Sequence, residues 1–139
     1  MAKKQSAKEK PKILLVDDDD FFLKMYAHKF RIEGFRVLTA AGAEEGFKLL
    51  KKEKPSLAYV DIAMPKKDGF YFLKQAKGCG ETADIPVILL TNLEGPEVRE
   101  RGCHLGALYF VSKAEKLPSD LVRIANEVLV AQKVEPDDF

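Results

Sequence analysis

The stretch ILLVDDDD at residues 13–20 decides the fold, because four apolar residues are followed at once by four aspartates. An unbroken apolar run of this length is typical of a strand that is covered on both faces, as in a parallel sheet. Acidic residues directly after such a strand lie at its carboxyl end, where open parallel sheets bind their ligands. The stretch therefore predicts a buried strand and an acidic site at its end.

The same arrangement recurs along the chain, with apolar runs separated by segments of helical length. Further strand-like runs are FRVLTA (35–40), LAYV (57–60), IPVILL (85–90) and ALYFV (107–111). Segments with apolar residues at helical spacing are 20–33, 43–53, 69–77 and 118–132, and residues 96–104 suit a shorter, more polar helix. Strands that alternate with helices predict βαβ units with right-handed crossovers. We therefore expect an α/β fold, a flavodoxin-like (βα)5 three-layer sandwich whose parallel sheet has the order 2-1-3-4-5.

Length, composition and charge restrict the organisation of the chain. Its 139 residues, 46% of them hydrophobic, suit one globular domain. We interpret residues 1–11 as a basic flexible leader, 12–132 as the domain and 133–139 as a polar C-terminal tail. The formal net charge of +1 argues against nucleic-acid binding by bulk charge.

The sequence also indicates the compartment. Cys79 and Cys103 form neither a metal-binding nor a disulfide pattern, which is typical of free thiols in a reducing cytoplasm. No stretch approaches the roughly 20 apolar residues that are needed to span a bilayer. We therefore expect a cytoplasmic protein without a membrane segment.

Polar residues follow four of the five predicted strands. Asp17 and Asp18 follow the first strand, Asp61 the third, Thr91 the fourth and Lys113 the fifth. The second strand ends in TAAGA without a reactive group, and the proposed order puts it at a sheet edge. Because parallel strands end at the same side of a sheet, the polar residues are expected to converge near the switch point between the first and third strands.

The chemistry of these residues points to phosphoryl transfer. Carboxylates gathered at one site cannot all stay ionised without compensation, and Mg²⁺ supplies it where a phosphate completes its coordination. Carboxylates also act as nucleophiles that form aspartyl phosphates. Since phosphoryl transfer depends mainly on positioning and cations, Asp61, Mg²⁺, Lys113 and the Thr91 hydroxyl suffice for reversible phosphorylation of Asp61.

Four pieces of the sequence, in order and at matching spacing, identify a resemblance. They are LLVDDD, YVDIAMPKKDGF, IPVILLTN and GALYFVSK. Over roughly residues 12–132 the chain resembles the response-regulator receiver domains of two-component signalling. The resemblance implies that Asp61 is the phosphoacceptor. It also implies that Thr91 and Lys113 contact the phosphoryl group. The metal ligands that it implies are Asp17, Asp18, Asp61 and the backbone carbonyl of Ala63.

The resemblance also implies a switch and partners. Thr91 and Phe110 take the switch positions, although an aromatic such as Phe110 equally suits a plain core role. The phosphoryl donor would be a sensor histidine kinase or a phosphotransfer protein. The output would be a protein bound on the face of the fourth helix, fifth strand and fifth helix, because no residues remain for an output domain.

We therefore expect a stand-alone bacterial signalling domain. It would catalyse only its own phosphorylation and dephosphorylation and would not be an enzyme in the ordinary sense. We expect a monomer or a phosphorylation-dependent dimer that contacts neither DNA nor a membrane directly.

Three positions depart from the receiver pattern. Ala114 follows Lys113 where most receivers have proline after a cis bond, so the loop takes either a trans path or a costly non-proline cis bond. Asn92 follows Thr91 where the usual residue is small, which predicts slower phosphorylation and hydrolysis. Ala63 has no side chain to orient a water molecule, which predicts slow autodephosphorylation.

The same residues also fit other interpretations. Aspartate is a favoured helix N-cap, and Asp61, Thr91 and Lys113 each suit an ordinary loop or strand end. An aspartate-nucleophile hydrolase needs an acid where Ala63 stands, and a flavodoxin-type flavin carrier needs a phosphate-binding loop where the aspartates stand. A degenerate receiver that serves only as a phosphorylation-independent interaction module is the alternative function.

Overall fold

A computed structural model describes residues 11–92 and 95–133, the side chain of Lys133 excepted. The predicted leader, apart from Pro11, and the tail residues 134–139 lie outside the described residues, so both stay predictions. No helix in the described part of the chain has the length and apolar character needed to cross a membrane.

Strands and helices alternate through the described ranges. The strands are β1 (Lys12–Val16), β2 (Arg36–Ala40), β3 (Leu57–Asp61), β4 (Val87–Thr91) and β5 (Tyr109–Ser112). The helices are α1 (Asp20–Ile32), α2 (Ala43–Glu53), α3 (Gly69–Lys77), α4 (Pro96–His104) and α5 (Pro118–Lys133). Every bound lies within two residues of the predicted one.

The strands form one parallel sheet in the order β2-β1-β3-β4-β5, which confirms the predicted topology. All but the last residue of β3 and all but the last residue of β4 form an apolar run, and both strands are buried throughout. The edge strand β2 is only partly buried along most of its length. Burial on both faces explains why the central strands show no alternation of apolar and polar residues.

Helices cover the sheet on both faces and give the three predicted layers. Because successive strand residues point to opposite faces, Ile13 and Leu15 pack with α1 and α5, whereas Leu14 and Val16 pack with α2 and α3. Tyr59 lies in the first of these two cores, where its hydroxyl donates a hydrogen bond to the carbonyl of α5 residue Leu121 at 2.6 Å.

Helix starts fix the loops at the carboxyl end of the sheet. Asp19 is the N-cap of α1, and its carboxylate accepts hydrogen bonds from two backbone N–H groups of the first turn. Asp68 caps α3 in the same way and accepts from the N–H of Tyr71 at 2.9 Å. Capping thus accounts for Asp19, while Asp17 and Asp18 have no capping role.

Gly69 allows α3 to begin directly against the end of β3. A Cβ atom at position 69 would lie 2.6 Å from the carbonyl oxygen of Asp61 and 2.8 Å from the Cα of Ile62. The N–H of Gly69 donates to the carbonyl of Ile62 at 2.9 Å. This close approach fixes the backbone that carries Asp61.

Gly69→Ala is expected to lower the free energy of unfolding by about 2 kcal/mol, because the added methyl group must displace backbone and not a flexible side chain. Urea denaturation measures the change. Gly80→Ala is the matched control, since a Cβ there would meet nothing within 4 Å. It should change stability by less than about 0.5 kcal/mol, and equal stability of the two variants would contradict the close approach.

Candidate functional site

An acidic cleft lies at the carboxyl end of the sheet. Asp17 and Asp18 directly follow β1, Asp61 ends β3, and Lys113 directly follows β5. β1 and β3 are neighbours although β2 separates them in the chain, so the aspartates meet at the switch point, as predicted. The cleft has a volume of about 350 Å³ and is lined by Asp18, Asp19, Asp61, Ala63, Asn92 and Lys113.

Three carboxylates lie close enough to share a cation. One oxygen each of Asp17, Asp18 and Asp61 lies within 4.8 Å of the other two. Asp17 and Asp61 are buried and Asp18 is exposed. The Asp17 carboxylate also accepts a hydrogen bond from the N–H of Asp19 at 2.9 Å, which fixes its orientation. Oxygen ligands in this arrangement suit a hard divalent cation such as Mg²⁺.

The environment of Asp61 disfavours its ionised form. Burial, and after it the charge of Asp17, raises the pKa of Asp61 from 3.8 to about 6. The ammonium group of Lys113 and a hydrogen bond from the backbone N–H of Ala63 act in the opposite direction and are outweighed. A cation at the cleft would therefore stabilise the ionised carboxylate.

Lys113 reaches both buried carboxylates. Its Nζ lies 2.8 Å from Asp17 Oδ2 and 3.7 Å from Asp61 Oδ2, and its side chain is 7% exposed. Its backbone N–H donates to the carbonyl of Thr91 at 3.0 Å. The described residues contain no cis peptide bond, so the bond to Ala114 takes the trans path, one of the two predicted alternatives. The lysine reaches the site without a following proline.

Thr91 and Asn92 lie at the end of β4, beside two different cavities. Asn92 lines the acidic cleft, where its size was expected to matter. Thr91 is buried and lines a neighbouring cavity of about 290 Å³ together with Phe110. Thr91 therefore lies at the same sheet edge as Asp61, and its predicted contact with a phosphoryl group stays a prediction.

Phe110 is half-buried on β5 and packs against α4. Gly102 makes this packing possible, because a Cβ at that position would overlap the ring of Phe110. The guanidinium of Arg99 lies 5.7 Å from the ring centroid. The position fits a core role toward α4 and a switch role beside Thr91, so the two readings of Phe110 both stand.

Two contacts of Lys113 were not predicted. Its Nζ lies 4.4 Å from the ring centroid of Phe22, and Asp17 is a closer partner than Asp61. The helical spacing of Phe22 predicted only an apolar face toward the core. The spacing of apolar residues does not predict contacts between side chains of distant elements. The aromatic residue type at position 22 was the only indication of a contact with Lys113.

The chain is similar in sequence to known transcriptional regulators. Residues 13–126 match the family model described as "Response regulator receiver domain". The chain is 33% identical over 105 residues to the probable transcriptional regulator ycf27 of Porphyridium aerugineum, covering 76% of this chain and 42% of the relative. It is 31% identical over 102 residues to the alkaline phosphatase synthesis transcriptional regulatory protein PhoP of Bacillus subtilis, covering 73% and 42%. The chain thus spans about two fifths of the length of these relatives.

Solved structures match over nearly their whole length. A CheY-like response regulator receiver domain protein of Methanospirillum hungatei has a TM-score of 0.83 at 29% identity, covering 90% of this chain and 98% of that one. Chemotaxis protein CheY4 of Vibrio cholerae has a TM-score of 0.80 at 28% identity, covering 86% and 98%. These similarities confirm the predicted fold class.

Asp61→Asn is expected to stabilise the fold at neutral pH when divalent cations are absent. Because the pKa of Asp61 rises from 3.8 to about 6 on folding, the folded state holds more protons than the unfolded state between these values. The contribution of Asp61 to wild-type stability therefore falls as pH rises through that window. The stability difference between variant and wild type should grow from about pH 4 to pH 6 and reach about 1–3 kcal/mol, measured by urea unfolding with a chelator.

Two comparisons control this pH experiment. Mg²⁺ should reduce the difference above pH 6, because it compensates the charge of wild-type Asp61. Glu81→Gln removes an exposed carboxylate from the loop before β4, away from the cleft, and gives the baseline pH dependence for the loss of a surface charge. A difference between Asp61→Asn and wild type that does not vary with pH would contradict the raised pKa.

Proposed function

Because this chain belongs to the response regulator receiver domain family of two-component signalling, we propose that Asp61 accepts a phosphoryl group and thereby changes the affinity of the domain for a protein partner. One observation carries the proposal. A buried carboxylate lies 3.7 Å from the ammonium of Lys113 and within 4.8 Å of oxygens from Asp17 and Asp18. This arrangement supplies a nucleophile, a cation and a metal-binding set in one cleft.

The proposed reaction is an in-line displacement at phosphorus. An Asp61 oxygen forms a new bond to phosphorus while the P–N bond of a phosphohistidine breaks. The imidazole nitrogen keeps the electron pair and takes up a proton from solvent. The donor is a sensor histidine kinase or a phosphotransfer protein. Hydrolysis then breaks the Asp61 O–P bond and returns the carboxylate and inorganic phosphate, so the domain catalyses only reactions of its own aspartate.

The residues of the cleft fit a magnesium ion. Asp17, Asp18, Asp61 and the backbone carbonyl of Ala63 are the groups that would hold it. Their fit rests on the donor chemistry, since two buried carboxylates and one exposed carboxylate converge and need a counter-charge. When bound, Mg²⁺ neutralises charge on the phosphoryl oxygens.

Lys113 supplies the second positive charge. In this structure its ammonium lies 2.8 Å from Asp17 and 3.7 Å from Asp61, so it is already beside the carboxylate that would carry the phosphoryl group. Thr91 is the proposed hydrogen-bond donor to a third phosphoryl oxygen. Both residues contribute by position and charge, which is the main contribution that phosphoryl transfer requires.

We assign the output to the face of α4, β5 and α5. The cavity of about 290 Å³ between Thr91 and Phe110 gives space for a rearrangement that connects the cleft to this face. Tyr109, 52% exposed, and Leu108, 46% exposed, present apolar area there for a protein partner. We further propose that the protein acts in the cytoplasm as a monomer or a phosphorylation-dependent dimer. The absence of direct DNA binding stays a prediction.

A degenerate receiver is the alternative function. The Lys113–Asp17 ion pair and the Asn92 side chain in the cleft favour it, because both would impede entry of a phosphoryl group. In that case the same output face would bind its partner whether or not Asp61 is modified. The rival hydrolase and flavin-carrier readings receive no support from this site.

Incubation with Mg²⁺ and acetyl phosphate is expected to add the mass of one phosphoryl group to the wild-type chain, seen by intact mass spectrometry. Asp61→Asn should abolish the gain, because an amide oxygen is a poor nucleophile. Asp84→Asn, an exposed position outside the cleft, should retain it. An equal mass gain in Asp61→Asn would refute the acceptor assignment, and no gain in the wild type would favour the degenerate receiver.

Ala63→Asn is expected to speed loss of the phosphoryl group several-fold, because the amide can orient an attacking water molecule beside Asp61. The readout is phosphate release after removal of the donor. Ala41→Asn, at an exposed loop position after β2, is the control and should release phosphate at the wild-type rate. Release that is no faster in Ala63→Asn than in Ala41→Asn would count against the assigned role of position 63.

A further inference from the structure

An aromatic ring of α1 forms one wall of the space that holds the Lys113 ammonium. The Nζ of Lys113 lies 4.4 Å from the ring centroid of Phe22, over the ring. Only 7% of the lysine side chain is exposed, so water screens this contact weakly. A cation within about 6 Å of a ring centroid is attracted by the negative ring face, and more strongly when it is desolvated.

The Phe22 ring is held by the core of the domain. It stacks on Tyr26, with the centroids 5.7 Å apart and the planes at 28°. Tyr26 is 1% exposed, and its hydroxyl has no hydrogen-bond partner among the described residues. Tyr26 therefore acts on its neighbour by packing. The ring on which Phe22 stacks is therefore a buried core residue and not part of the acidic cleft.

The carboxylates hold Lys113 in a way that conflicts with metal binding. Its ammonium lies 2.8 Å from Asp17 and 3.7 Å from Asp61. A divalent cation that engages Asp17 would take the lysine's closest partner and repel the ammonium. The ring of Phe22 is not a metal ligand, so its attraction for Lys113 persists when Asp17 turns to the cation.

We propose that Phe22 is a positioning residue, whose ring keeps the Lys113 ammonium beside Asp61 while Asp17 is engaged by the metal ion. This inference rests on the proposed function, in which Lys113 contacts the phosphoryl group on Asp61. Leucine at position 22 fills part of the space without a negative ring face, whereas tyrosine and tryptophan keep that face. The residue acts through the lysine and touches no reacting atom.

Phosphorylation rates of the full chain with Mg²⁺ and acetyl phosphate give the first test. Phe22→Leu is expected to lower the maximal rate about 3- to 10-fold, and Phe22→Tyr and Phe22→Trp should restore it to within about twofold. Phe47→Leu is the matched control, since Phe47 is also half-buried and contacts a lysine, Lys51, away from the cleft. Equal rates in Phe22→Leu and Phe47→Leu would overturn the proposal.

Fluorinated phenylalanines at position 22 separate electrostatics from folding. They keep the shape of the ring and weaken its negative face stepwise. The phosphorylation rate should fall with each added fluorine while the unfolding transition stays near that of the wild type. A rate that does not change along the series would overturn the proposal, whatever the stability of Phe22→Leu.

The NMR shift of the Lys113 ε-methylene group tests the contact without a phosphodonor. The ring current should shift this signal upfield in the wild type and in Phe22→Tyr, and the shift should be lost in Phe22→Leu. It should persist after Mg²⁺ is added, and its disappearance on Mg²⁺ addition would overturn the positioning role. A wild type that gains no phosphoryl group would instead refute the proposed function, while the NMR result still decides whether the ring holds the lysine.

Discussion

Repulsion between buried carboxylates is the constraint around which the rest of the structure is arranged. Asp17 and Asp61 are 1% and 5% exposed, and burial, followed by the negative charge of Asp17, raises the pKa of Asp61 to about 6. The fold opposes this repulsion with the ammonium of Lys113, the N–H of Ala63 and the N–H of Asp19. These groups come from three separate loops. Their convergence depends on a sheet whose strands end at one side.

Most of the fold and the composition of the cleft followed from the sequence, because both depend on strand periodicity and on strand ends. Continuous apolar runs located the buried strands, and the residues after them located Asp17, Asp61 and Lys113. Parallel topology then required these residues to meet. The position of each strand end depends only on the direction and the neighbours of the strand, and both were predicted from the alternation of strands and helices.

Strand periodicity and strand ends do not predict side-chain geometry. The preference of Lys113 for Asp17, its contact with Phe22 and the cavity beside Thr91 depend on rotamers and on helix positions to within an ångström. The trans bond before Ala114 was one of two predicted alternatives, and only the loop's three-dimensional path distinguishes them. The proposed roles of these groups in phosphoryl transfer depend on a further state, with cation and phosphoryl group bound.

The packing of Phe110 on Gly102 has a consequence for how this domain can vary among related proteins. A Cβ at position 102 would overlap the ring, so α4 and β5 share a confined volume at this point. A methyl group added on the helix is accommodated by removing atoms from the strand, by separating the two elements or by rotating the Phe110 ring into the cavity beside Thr91. Positions 102 and 110 are therefore expected to change together in evolution, and their paired residue types would record how closely α4 lies on the sheet.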